Sequence, residues 1–151
     1  MRMLWMKMKN EIMDYIFGAY NIAIDRESRI ILPYQLKRVF RKIDYVIVYQ
    51  DEDLIKIYFP QTIYYLARSL FEENDNEERR LEFFSKGRIA QLETKNIRGD
   101  SSRIRLTELN YKDLTERFEL VEHESLKVNL LGNGDHLLLD KRKITKSKKE
   151  E

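Results

Sequence analysis

The chain carries one pattern twice, and that repetition constrains its fold more than any other feature. The first copy runs Asp25-Arg-Glu-Ser-Arg29-Ile-Ile-Leu-Pro33, then Val46-Ile-Val-Tyr-Gln-Asp-Glu-Asp53-Leu-Ile-Lys-Ile57. The second runs Gly99-Asp-Ser-Ser-Arg103-Ile-Arg-Leu-Thr107, then Val128-Asn-Leu-Leu-Gly-Asn-Gly-Asp135-His-Leu-Leu-Leu139. A polar turn with one strand, followed by a strand pair, is too small to bury its own apolar face. Its open strands need a partner, and the matching one is the other copy. Chance likeness between two hairpins is the competing reading.

The local periods fill in the rest. Tyr20, Ile22 and Ile24 alternate, the polar stretch 25–28 turns, and Arg29 to Leu32 is extended. Pro33 opens a short helical stretch, Tyr34 to Phe40, at the position where its missing N–H costs nothing. Tyr45–Tyr49 and Leu54–Phe59 form a hairpin around an acidic tip, Asp51-Glu-Asp53. After Pro60, the spacing of Ile63, Leu66, Ala67, Leu70 and Phe71 predicts a helix with one buried stripe. Asp75 followed by Glu78 predicts the cap of a second helix running toward Gly87. Strand character returns at Ile89–Leu92 and Arg103–Leu106, with a turn at 98–102 between them. A partly helical stretch, Asn110 to Glu119, precedes the last hairpin, Lys127–Leu131 with Leu137–Leu139. Its Asn133-Gly134 step predicts a type I′ turn with positive φ at both residues.

Composition narrows the function classes. The absence of Cys excludes a disulfide scaffold, a thiolate metal site and a cysteine nucleophile, and suits a reducing cytosol. A hydrophobic fraction of 42% belongs to a folded chain rather than a disordered one. No apolar run approaches the ~18 residues of a membrane span, so no membrane role is expected. The N-terminal MRMLWMKMKNEIMDY is broken by Lys7 and Lys9 before a signal-peptide core can form. It reads as a frayed extension, with an interface helix through Met3, Met6, Ile12 and Met13 as the alternative. The tail 141–151 carries a net +4, which leaves −2 on residues 1–140 out of the overall +2. Any nucleic-acid affinity must therefore come from a local cluster, from the tail, or from a face repeated by oligomerisation.

Enzyme chemistry finds little support. His123 and His136 have no carboxylate at ligand spacing, and His136 reads as a strand-end surface residue. Gly132-Asn-Gly134 lacks the third glycine and the helix of a phosphate loop. Asp51, Glu52 and Asp53 lack the alternation of a calcium loop. No catalytic residue, metal ligand or cofactor is assigned. Arginine is the better lead. Arg26 and Arg29 flank one polar turn, while Arg98, Arg103 and Arg105 flank the matching one. Alternation puts Arg103 and Arg105 on one face, opposite Ile104 and Leu106. If the copies pair, two arginine groups meet, able to bridge phosphates or read guanine edges. The competing reading is a solvated face, or internal pairs such as Asp25 with Arg29.

At these residues the sequence resembles the MraZ family, relatives of the AbrB/MazE/SpoVT swapped-hairpin regulators. The likeness lies in Phe17-Gly-Ala-Tyr20, in the Asp25–Pro33 signature, in Glu78-Arg-Arg-Leu-Glu-Phe-Phe-Ser85, in the second signature, and in the closing strands from Val128 to Asp140. It covers about residues 17 to 140. Ser28 stands where the family has glycine, Glu27 where it has lysine, Gly99 where it has Asp, and Thr107 where it has proline. The path to the second signature is also about six residues long in excess, so Arg98 competes with Arg103 as its arginine.

The resemblance implies an α/β (α+β) chain of two pseudo-symmetric swapped-hairpin β-barrel repeats joined by a helical pair. The divisions are an N-terminal extension (1–16), a first SpoVT-AbrB-like repeat (17–60), the connector (61–87), a second, divergent repeat (88–140) and a flexible basic tail (141–151) contacting phosphates only. It further implies a non-enzymatic, cytoplasmic, nucleoid-associated transcriptional regulator of a cell-division and cell-wall gene cluster. Such a protein forms a ring-like homo-oligomer on direct repeats of double-stranded DNA in its own promoter region, through Arg26, Arg29, Arg98, Arg103 and Arg105. The alternative is a protein-binding module of the same fold, antitoxin-like or inhibitory, without DNA affinity.

Overall fold

A computed structural model describes residues 16–73, 77–94 and 102–148. Eight antiparallel strands close into a barrel: β1 (Ala19–Ile24), β2 (Arg29–Ile31), β3 (Tyr45–Asp51), β4 (Leu54–Tyr58), β5 (Arg88–Thr94), β6 (Ser102–Arg105), β7 (Glu124–Gly132) and β8 (His136–Asp140). Around the barrel they run β1-β2-β6-β5-β3-β4-β8-β7, and β7 returns to β1. The class is therefore α+β with a barrel. Alternation decides which side chains fill it. Ile22 and Ile24, Val46 and Val48, Ile55 and Ile57, and Leu137 and Leu139 point inward, buried in one continuous core. Ile30 and Ile104 stand directly opposite each other across β2 and β6, both fully buried.

A 3₁₀ turn (Tyr34–Leu36) and a short helix α1 (Lys37–Phe40) follow Pro33, and helices α2 (Pro60–Glu73) and α3 (Glu77–Lys86) join β4 to β5 on the outside of the barrel. Pro60 opens the first, and Glu77 with Glu78 at one end and Lys86 at the other suit the dipole of the second. The Thr62 hydroxyl donates to the Asp135 carbonyl, and the Tyr49 hydroxyl donates to the Phe83 carbonyl, pinning the helices to the wall. The expected buried stripe is not what forms. Ile63, Leu66 and Ala67 are only half-buried, and Leu81 and Phe84 are 63% and 51% exposed. A closed barrel fills its own interior, so a helix on its outer wall has one shallow contact face. Leu70 and Phe71 side chains, and the expected cap at Asp75, lie outside the described residues.

Four other expectations are corrected. The tail is not a flexible appendage through 148: a short 3₁₀ turn leads to β9 (Thr145–Lys148), which pairs with the start of β7. Ile144 between them is buried, and that apolar anchor fixes the segment. Ile16, assigned to the extension, is also buried, and its N–H and C=O both bond Gly134. The β7–β8 connection is not type I′, because Gly134 has φ +77° while Asn133 lacks a positive φ. The Asn133 N–H instead bonds the His136 carbonyl, which places Gly134 and Asp135 at the centre of the turn. His136 is buried rather than a surface residue: it stacks on Tyr58 with ring centroids 4.7 Å apart, and its Nδ1 lies 2.6 Å from Asp135.

Candidate nucleic-acid interface

Strands β2 and β6 bring the two arginine groups together on the outer wall. Their register sets Arg29 opposite Arg105 and Ile31 opposite Arg103. Pairing of β5 with β6 sets Glu93 opposite Arg103, and the β1–β2 turn adds Asp25 and Glu27. The result is a cluster of three guanidiniums and three carboxylates.

Asp25 is its centre. One carboxylate oxygen accepts the N–H groups of Glu27 at 3.0 Å and Arg29 at 2.9 Å. The other accepts Arg29 Nε at 2.9 Å and Arg103 Nη1 at 3.1 Å. Burial pushes this carboxyl up, but the N–H bonds and the Arg29 guanidinium outweigh it and hold it below the usual range. Arg29 also reaches Glu27 at 3.1 Å and Glu93 at 3.5 Å. Both Arg29 and Arg103 side chains are only 15% exposed, and Arg103 Nε is buried without a hydrogen-bond partner among the described residues. Arg105 is more open, at 46%, with Nη2 lying 3.4 Å from Glu27 and 3.3 Å from Glu93.

The turn that holds this cluster depends on a strained residue. Ser28 has φ +60°, a conformation that glycine adopts without cost. Its hydroxyl accepts the Tyr111 N–H at 2.9 Å and its carbonyl accepts the Leu106 N–H at 2.7 Å. Those bonds tie the turn to the segment after β6 and offset the strain. The helix served by Ser28, α4 (Tyr111–Arg117), thus packs against the first signature turn.

Of the expected DNA-contacting residues, Arg29, Arg103 and Arg105 come together, already paired with acids. Arg26 is exposed at the same turn and makes no ion pair among the described residues. Arg98 lies outside the described residues. Sequence reasoning missed two participants. Glu93 lies outside the second signature; its signal is its place at the end of the preceding strand. Arg88 makes a two-nitrogen bridge to Glu108 and also donates to the Arg105 carbonyl at 3.2 Å. Burial pushes the Glu108 carboxyl up, but the Arg88 guanidinium, the Glu108 backbone N–H and the Thr107 hydroxyl together outweigh that and hold it below its ordinary value.

The tail cations are partly engaged too. Arg142 grips Asp140 at 2.9 and 3.0 Å, and Lys146 lies 3.5 Å from Glu124. The acidic tip at 51–53 faces this segment, with the Asp53 carbonyl accepting the Lys141 N–H at 2.8 Å. Among the described residues, no cluster of three His, Asp or Glu could hold a metal ion, and no helix is long and apolar enough to cross a membrane. No protein-family model matches the chain, and no curated protein matches it.

Proposed function

We propose that this chain is a MraZ-type, sequence-specific DNA-binding regulator built from two swapped-hairpin halves. The observation that carries the reading is the pairing pattern of the barrel. Exchange β1–β4 with β5–β8, and the set of barrel pairings is preserved: β1–β2 maps onto β5–β6, β3–β4 onto β7–β8, and β1–β7 onto β5–β3. The remaining two pairs map onto themselves, about Ile30↔Ile104 and Lys56↔Leu138. Ile24↔Ile30 likewise corresponds to Leu92↔Ile104. In that correspondence Glu93 takes the place of Asp25, and Arg103, rather than Arg98, takes the place of Arg29. Both signature arginines then flank one pseudo-twofold axis on the outer wall, a symmetry suited to grooved, repetitive DNA.

The proposed setting is cytoplasmic and nucleoid-associated, with a ring-like homo-oligomer on direct repeats upstream of its own cell-division and cell-wall genes. A second reading has its own support: three carboxylates neutralise the three arginines, which suits a protein-binding module without DNA affinity. Fluorescence anisotropy with duplex DNA from the chain's own upstream region, against scrambled duplex at two salt concentrations, decides between them. The regulator reading expects tighter binding to the upstream duplex, with affinity for both falling as salt rises. Absence of binding to either duplex favours the protein-binding module.

A further inference from the structure

We propose that Glu27 and Glu93 mask Arg105, and thereby set how strongly the arginine face accepts phosphate. The inference rests on reading that face as a DNA interface. The cluster has two tiers. In the inner one, Asp25 serves two guanidiniums at 2.9 and 3.1 Å, each 15% exposed, which leaves a local charge of +1. In the outer one, a single nitrogen of Arg105 is shared by Glu27 at 3.4 Å and Glu93 at 3.3 Å; both carboxylates also reach back to Arg29, at 3.1 and 3.5 Å, and with Arg29 counted in the inner tier the outer one carries −1.

These tiers differ in how easily they open. The inner contacts are short and part-buried, and Asp25 is also held by two backbone N–H groups. The outer contacts are long, and all three side chains are at least 36% exposed, so each holds Arg105 weakly. A phosphate approaching the barrel meets the outer tier first and is repelled by its excess carboxylate. Once past it, Arg105 is the guanidinium free to turn outward, while Arg29 and Arg103 stay locked on Asp25. The carboxylates come from the β1–β2 turn and from β5, so they close over Arg105 from both sides.

The test uses the full chain and a short scrambled duplex as the polyanion. Glu27→Gln with Glu93→Gln turns the outer tier from −1 to +1 while keeping side-chain size. A control pair, Glu52→Gln with Glu122→Gln, makes the same change in net charge at other exposed acids. The masked pair is expected to tighten scrambled-duplex binding about three- to tenfold more than the control. Its salt dependence should steepen by about one phosphate contact. Adding Arg105→Ala should abolish the gain. No gain, an equal gain in the control pair, or a gain that survives Arg105→Ala each overturns the proposal. Circular dichroism verifies folding, and Glu27→Gln alone, judged by the same criteria, serves if the pair unfolds. Because the probe carries no operator, failure here is separate from failure of the regulator reading, which the upstream-to-scrambled ratio of the unaltered chain reports.

Discussion

Ile30→Ala and Ile104→Ala probe the point where β2 meets β6. Both residues are fully buried and face each other across β2 and β6. Each substitution removes three carbons from water-free surroundings, a loss of about 2.4 kcal/mol at ~0.8 kcal/mol per carbon. The strands on either side are fixed by their ladders, so the vacated space closes only in part. At ~24 cal/mol per Å³, about 40 Å³ left open adds about 1 kcal/mol. Each variant should therefore lose about 2.5–4 kcal/mol. In urea, with a slope of about 1–3 kcal/mol/M, the midpoint should fall by roughly 1–3 M without a change in slope. Since the side chains touch one shared volume, the double variant should depart from additivity by at least ~0.5 kcal/mol. A loss below about 1 kcal/mol at either position, or strict additivity, would refute the reasoning.

Other perturbations test separate parts of the account. Asp25→Ala should destabilise most near neutral pH. The carboxyl is held below its ordinary value, so its contribution is complete above about pH 4 and vanishes as pH falls through the folded value. Urea titrations should show the gap from the unaltered chain shrinking below about pH 4; a gap independent of pH contradicts the clamp. Gly132→Ala would put a Cβ 2.7 Å from the Ile16 carbonyl oxygen, a backbone atom that cannot swing away. It should cost about 1–3 kcal/mol in a thermal melt; an unchanged melt disproves that close approach. Deleting 144–151 removes buried Ile144 and β9, and should cost at least the ~1.5–3 kcal/mol of one buried side chain. Deleting 149–151 should stay within about 0.5 kcal/mol, and equal effects of the two deletions would refute the docked tail.

The sequence was legible where local period and burial coincide. Ile22 with Ile24, and Ile104 against Arg103 and Arg105, alternate because one wall of each strand faces the core. It was misleading where a correct local pattern meets an unexpected surface. Leu66 and Leu81 lie on helices of the expected type, yet the barrel is already full, so the helices cover only its outside. Ile144 was hidden by the lysines around it, whose charge dominated the reading of the tail. Glu93 escaped because it stands far from Arg103 along the chain, and only strand register brings the two together. Whether an arginine is free or paired is a tertiary property: Arg26 and Arg29 are three residues apart, yet one is open and the other is held by three acids.

The central claim is that the arginine face around Asp25, rather than the basic segment near the C-terminus, receives DNA. Amide hydrogen exchange on the full chain, with and without saturating upstream duplex, tests it most directly. The account predicts slowed exchange at residues 25–29 and 102–106, with smaller changes at 141–148. Slowing confined to 141–148, or none anywhere, would contradict it.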